Sequence, residues 1–258
     1  MKTAQEYKDS LRERKIRVYV KGQLLDSREV IDHPFIRGHV NSAAMTYALA
    51  GNPEYADLMT TTSHLTGHKI NRFTHIHQSV DDLMKKAKML RTISQKTGTC
   101  YQRCVGFDAM NATYTVTYEC DKALGTNYHE RFKKFLIQVQ DNDWMVAGAM
   151  TDVKGDRSLR PGQQVDPDMF VHVVEKREDG IVIRGAKAHM TGMVNSHYML
   201  IMPTSAFGAE DADYCVSCAI PVDAPGVFHI FGRQTNDGRK YEGEIDQGNA
   251  RFGVVGGE

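Results

Sequence analysis

Two periodicities of apolar residues divide the chain. Up to about residue 140 they recur mostly at helical spacing. Residues 4–15 predict a short charged helix and 41–49 an alanine-rich one. Ser79 is a good N-cap, with Asp81 and Asp82 in the first turn behind it. Leu83, Ala87 and Leu90 continue that helix at the right spacing, and Gly98 ends it. Another helix is predicted from Cys100 towards Ala123. A further one, capped by Asn127, runs through Phe132, Phe135, Leu136 and Val139 towards Val146. The early exception is 17–25, which turns at Lys21-Gly22 as a small hairpin.

Near Gly148 the pattern changes to short β-rich runs. Stretches 170–174 and 180–184 flank a turn and predict a hairpin, and 198–202, 214–220 and 227–231 follow with Pro and Gly between them. The spacing suggests a small antiparallel barrel or sandwich. Helices first and strands later predict an α+β protein, with a helical domain over 1–140 and a β-domain over 141–258. After a turn-rich stretch the chain stops in Gly253-Val-Val-Gly-Gly257, with no closing helix or strand. The expectation is therefore a fragment, or a chain that another completes.

Composition narrows the function. Lys+Arg and Asp+Glu balance at 32 each, which argues against nucleic acid or an anionic membrane as the main partner. No apolar run is long enough for a bilayer, and the first residues lack a signal-peptide core, so a cytoplasmic protein is expected. Five cysteines suit reduced thiols or metal ligands better than a disulfide framework.

The candidate chemistry starts with Gly98-Thr-Cys-Tyr-Gln-Arg-Cys-Val-Gly-Phe-Asp108. On a helix, Cys100 and Cys104 would share one face, so both thiols could reach one soft metal centre. They cannot fill its coordination sphere, because an iron–sulfur cube takes four protein ligands. Spacing alone equally fits two small buried side chains. At the helical-to-β junction, Ala149-Met-Thr-Asp-Val-Lys-Gly-Asp-Arg157 offers a hydroxyl on Thr151, close backbone approach at Gly155, and cationic donors on Lys154 and Arg157. A polar surface turn has the same composition. Gly185-Ala-Lys-Ala-His-Met-Thr-Gly192 places Lys187, His189 and Thr191 on one face if a strand continues there.

Other pairs point to structure. Cys215 and Cys218 lie three apart in a predicted strand, on opposite faces, without the helix N-terminus that a CxxC redox site uses. His75 and His77 have no third ligand nearby and read as a satisfied structural pair. Tyr128, His129, Glu130 and Arg131 open a helix and are weak candidates for a ligand contact.

Taken together, Asn127-Tyr-His-Glu-Arg-Phe132, the 148–157 and 185–192 stretches, and Val173-Val-Glu-Lys-Arg-Glu-Asp-Gly-Ile-Val182 resemble the 4-hydroxybutyryl-CoA dehydratase/vinylacetyl-CoA Δ-isomerases. These are a branch of the flavin-dependent 4-hydroxyphenylacetate 3-hydroxylase family, whose fold resembles the acyl-CoA dehydrogenases. The similarity runs over 7–258, with the family's C-terminal helical bundle absent. The resemblance implies FAD, a [4Fe–4S] cluster, an acyl-CoA thioester substrate and a homotetramer. It implies that Cys100 and Cys104 are two cluster ligands, the other two being a His and a Cys further along. It implies that Glu258 is an active-site carboxylate. It also implies that FAD lies against Ala149, Met150, Thr151, Lys154, Gly155, Asp156 and Arg157, and against Lys187, His189 and Thr191. Val153, Met190 and Tyr198 depart from the family pattern, which usually has Pro, Gln and Glu there. Two other readings are an aromatic 3-monooxygenase of the two-component, flavin-dependent kind, and an inactive binding module.

Overall fold

The computed structural model describes residues 1–232 and 251–252. The first helix, α1 (Ala4–Arg12), opens on a reciprocal cap: Thr3 accepts from the Glu6 N–H, and the Glu6 carboxylate accepts from the Thr3 N–H. Next come β1 (Val18–Val20) and β2 (Gln23–Leu24), an antiparallel pair whose turn is left-handed at both Lys21 and Gly22, as the hairpin reading requires. Helix α2 (Arg37–Ala50) follows, then the short α3 (Ala56–Met59) and a small antiparallel ladder of β3 (Thr60–Thr62) and β4 (Lys69–Asn71).

Three longer helices come next. Ser79 caps α4 (Val80–Thr97) by accepting from the Asp82 N–H, and left-handed Gly98 terminates it. The buried stripe of α4 is Met89, Ile93 and Thr97, with Leu90 partly covered; Leu83 is exposed. Helix α5 (Cys104–Leu124) starts four residues later than expected, and Cys100 lies outside it. Helix α6 (Tyr128–Asp141) begins after Asn127, but Asp121 provides its cap, its carboxylate accepting from the Tyr128 and His129 N–H groups. The stretch expected to continue α6 to Val146 instead turns at Asp143, whose φ is +44°.

The remaining elements are β5 (Val146–Ala149), the hairpin β6 (His172–Arg177) and β7 (Gly180–Arg184), β8 (Tyr198–Ile201), β9 (Cys218–Pro221) and β10 (His229–Phe231). The antiparallel barrel expected here is a set of small sheets. In the order β5-β8-β9, the first pair is parallel and the second antiparallel. β10 pairs in parallel with β1, at the other end of the described chain.

The β5-β8-β9 sheet positions the candidate site because both of its faces are buried. Ala147, Ala149, Met199 and Ile201 face the cluster built on α1 and α2, including Tyr7, Leu11, Val40 and Tyr47. The alternate residues Val146 and Leu200 face Met110, Phe132, Leu136 and Val139 of α5 and α6. α5 approaches β5 to backbone contact: a Cβ on Gly106 would lie 1.8 Å from the Val146 carbonyl oxygen. A Cβ on Gly148 would lie 2.5 Å from Val105 Cγ1. These two glycines seat the Cys104 end of α5 directly on the sheet.

Candidate functional site

Cys100 precedes α5 and Cys104 is its first residue, so the shared helical face expected of them does not exist. A turn brings the thiols together instead. Gln102 is left-handed, with φ +66°, and its N–H donates to Cys100 Sγ at 3.4 Å. Arg103 is buried between the rings of Tyr47 and Phe73, with its guanidinium carbon 4.4 and 4.7 Å from their centroids, and donates to Thr46 Oγ1. The Cys104 thiol is lowered to about 6. The main cause is a hydrogen bond from the Cys100 thiol, aided by the Val105 and Cys104 N–H groups and opposed by burial. A helix N-terminus presents N–H groups that favour a thiolate. Alkylation of Cys104 by iodoacetamide should therefore reach half its maximal rate near pH 6, rising with pH as the thiolate forms. A midpoint near 8.5, the ordinary thiol value, would contradict this environment.

The second and third constellations are joined. Asp152 and Lys187 form an antiparallel bridge, and Ala188 N–H donates to the Thr151 carbonyl at 2.9 Å. Lys187 is only 9% exposed; its ammonium lies 2.7 Å from Asp152 Oδ1 and donates to the Met150 and Met202 carbonyls. It thus holds the 150–152 segment to the end of β8. Ala149 is buried in β5, Met150 is exposed and Thr151 half-buried. Lys154 and Gly155 are both left-handed, and a Cβ on Gly155 would meet Met169 Sδ at 2.4 Å. Gln164 fixes the loop beyond, accepting from Asp156 N–H and donating to the Asp156 and Leu159 carbonyls. Lys154 and Arg157 form no ion pair among the described residues, and Arg157 is exposed. Left-handed His189 is exposed and Thr191 half-buried. Glu258 lies outside the described residues.

Residues 187–192 also touch the cysteine turn. Gly192 is left-handed, with φ +92°, and a Cβ there would lie 2.9 Å from Gln102 Cβ. The Gln102 side chain accepts from Asn195 Nδ2 at 2.7 Å. No local signal in the sequence marks Gln102 or Asn195; Gly192, closing the third motif, is the one residue whose type points to this contact.

The other candidates are placed as follows. His75 pairs with Asp82 through Nε2 at 3.3 Å, but His75 Nδ1 and both ring nitrogens of His77 are buried without a hydrogen-bond partner among the described residues, so the expected satisfied pair is met at one nitrogen of four. His129 packs against Tyr114 and Tyr118 and contacts Thr117 Oγ1, joining α5 to α6. Cys215 is exposed, while burial pushes the Cys218 thiol up. Met190 packs in the α1–α2 core, Tyr198 packs on Trp144 and Phe135, and Val153 is exposed. Ser10 and His197 lie 2.9 Å apart, but His197 Nδ1 accepts from the Met145 N–H. The ring is therefore a donor to Ser10 through Nε2, not a base for it.

Two thiols on one turn are the donor type an iron–sulfur cluster takes, and binding two of its irons would require them to rotate out of their mutual hydrogen bond. Among the described residues no group of three or more His, Cys, Asp or Glu could hold a metal. No described helix is long and apolar enough to cross a membrane.

The sequence is 56% identical over 253 residues to the 4-hydroxybutyryl-CoA dehydratase/vinylacetyl-CoA-Δ-isomerase of Clostridium aminobutyricum, covering 97% of this chain and 51% of that protein. It is 25% identical to the oxygenase component of a Thermus thermophilus 4-hydroxyphenylacetate 3-monooxygenase, over 89% of this chain and 46% of that one. An oxygen-tolerant archaeal 4-hydroxybutyryl-CoA dehydratase from N. maritimus superposes with a TM-score of 0.92 at 47% identity, covering 99% of this chain and 50% of that one. A 4-hydroxyphenylacetate 3-monooxygenase oxygenase component solved with FAD and 4-hydroxyphenylacetate shares the fold, with a TM-score of 0.79 at 23% identity, covering 100% of this chain and 52% of that one. The chain spans about half the length of the curated relatives it matches. The family model for the 4-hydroxyphenylacetate 3-hydroxylase N terminal region matches residues 3–256, and the chain belongs to that family.

Proposed function

We propose that this chain is the N-terminal half of a flavin- and iron–sulfur-dependent dehydratase. The enzyme converts 4-hydroxybutyryl-CoA to crotonyl-CoA and water, and isomerises vinylacetyl-CoA. The observation that carries the reading is the Cys100–Cys104 thiol pair, acidified at Cys104 and packed through Gln102 against the segment that pairs with the cationic 149–157 loop. An aromatic 3-monooxygenase has no use for such a pair.

Cys100 and Cys104 hold two corners of the [4Fe–4S] cluster; a His and a Cys from a C-terminal segment complete it. Thr151, Lys154, Gly155, Asp156 and Arg157 hold FAD, with His189 and Thr191 beside it and Ala149, Met150 and Lys187 supporting the loop. When bound, flavin supplies one-electron chemistry that acidifies the C3 proton, and the cluster supplies a Lewis-acidic iron for the departing hydroxyl. Lys187 keeps the loop docked by pairing with Asp152. Cys104, ionised at neutral pH, is ready to ligate without losing a proton first. Glu258 moves a proton or orients the hydroxyl. The fold is read as acyl-CoA-dehydrogenase-like, with a helical domain over 1–140 and a β-domain over 141–258, and the assembly as a cytoplasmic homotetramer.

The test uses this chain fused to the C-terminal half of the Clostridium aminobutyricum relative, purified without oxygen. Crotonyl-CoA formation from 4-hydroxybutyryl-CoA is expected. Oxygen-dependent hydroxylation of 4-hydroxyphenylacetate, without dehydration, would replace the reading with the monooxygenase. In the same protein, Arg157→Ala should weaken FAD binding about tenfold, or roughly 1.4 kcal/mol. Unchanged affinity would make the 149–157 loop structural only.

A further inference from the structure

We propose that Asn195 is a positioning residue for the cysteine turn, acting through Gln102. The inference deepens the proposed function, in that the turn matters because its thiols are read as cluster ligands. Asn195 is fully buried and its backbone is fixed from several sides. Its carbonyl accepts from Tyr7 Oη at 2.6 Å. The carbonyls on either side, Val194 and Ser196, accept from the guanidinium of buried Arg14. Ser196 Oγ donates to the Gly192 carbonyl, closing the same turn. A side chain mounted on so constrained a backbone has little freedom, and this one donates at 2.7 Å to Gln102 Oε1. That is its one side-chain hydrogen bond among the described residues, since Oδ1 has no partner there.

Gln102 needs such a hold. It is a non-glycine residue in the left-handed region, a conformation that persists only where its surroundings impose it. Its side chain is tied at both ends, to Asn195 through Oε1 and to the His39 carbonyl through Nε2 at 3.3 Å. Its backbone is wedged against Gly192, where any side chain would collide with it. In that shape its N–H meets Cys100 Sγ, and the chain turns so that Cys104 opens α5 beside Cys100. The Asn195 amide thus bolts the thiol pair to the 187–192 segment, so that the two cofactor sides keep a fixed separation.

The test needs neither metal nor flavin, so its outcome is separate from that of the proposed function. Iodoacetamide labelling of the whole chain is followed cysteine by cysteine by mass spectrometry, at about pH 9, where Cys104 is mostly ionised in parent and variants alike; its rate reports access, and Cys100, released from its bond to Cys104, changes in the same sense. Asn195→Leu should label Cys100 and Cys104 about tenfold faster and leave Cys120, Cys215 and Cys218 unchanged. Gln102→Leu, which also loses the His39 tie, should accelerate them at least as much, and Asn195→Leu placed on top of it should add nothing, because Asn195 acts through Gln102. Asn195→Ala, which removes the donor without adding bulk, and Gly192→Ala, which presses on Gln102 from the other side, give the same answer should the leucine variant not fold. Labelling of Cys100 and Cys104 within twofold of the parent would overturn the proposal. So would equal acceleration of all five cysteines, which would mark general loosening.

Discussion

Cys104→Ala in the fused protein lowers the rate of crotonyl-CoA formation at least about 10³-fold, roughly 4 kcal/mol in barrier, while FAD stays bound. Removing one thiolate leaves a single ligand on this side of the cluster. The surviving thiol also loses its hydrogen-bond partner, since the Cys100 thiol is the main reason Cys104 sits at about 6. The side chain is small and half-buried, so the fold should tolerate alanine. Flavin absorbance and a cooperative melt are the controls. A variant that keeps a tenth or more of the parent rate would mean that Cys104 does not ligate a group the reaction needs.

The largest stability effect is expected at Gly106. In an exposed helix, Gly→Ala gains about 0.5–1 kcal/mol, because glycine has more backbone entropy to lose. Here the sign reverses. The new Cβ would lie 1.8 Å from the Val146 carbonyl oxygen and 2.6 Å from its carbon, both backbone atoms of β5. A flexible side chain could swing aside, but a strand buried on both faces cannot. Gly106→Ala should therefore cost about 3 kcal/mol or more, in the upper range of overpacking effects. It should also move the start of α5, and with it Cys104. Urea unfolding measures it; a change below about 1 kcal/mol would show that α5 does not lie on β5 as described.

Local signals in the sequence were legible where they act locally. Ser79, Gly98 and the Lys21-Gly22 turn are found in the roles their chemistry predicts, because caps and tight turns depend on a few neighbouring residues. The parallel β5–β8 pair was not legible, since strands buried on both faces read as apolar runs whatever their direction. Nor was the pairing of β1 with β10, which joins the two ends of the described chain. On α4 the apolar spacing of Leu83, Ala87 and Leu90 competed with a second stripe, and Met89 and Ile93 are the residues that pack. The cysteine pair was found for a partly wrong reason. Its proximity comes from left-handed Gln102, held by Asn195 far along the chain, not from helical periodicity. The 149–157 and 187–191 stretches were recognised separately; their pairing through Asp152 and Lys187 is long-range information that neither stretch carries alone.

The most direct test of the central claim is the iron and sulfide content of the fused protein after anaerobic reconstitution, with and without the thiol pair. About four irons and four sulfides per protomer are expected in the parent, with near-complete loss of both in the Cys100→Ala/Cys104→Ala double variant. A double variant that keeps its iron, or a parent that binds FAD and no iron, would contradict it.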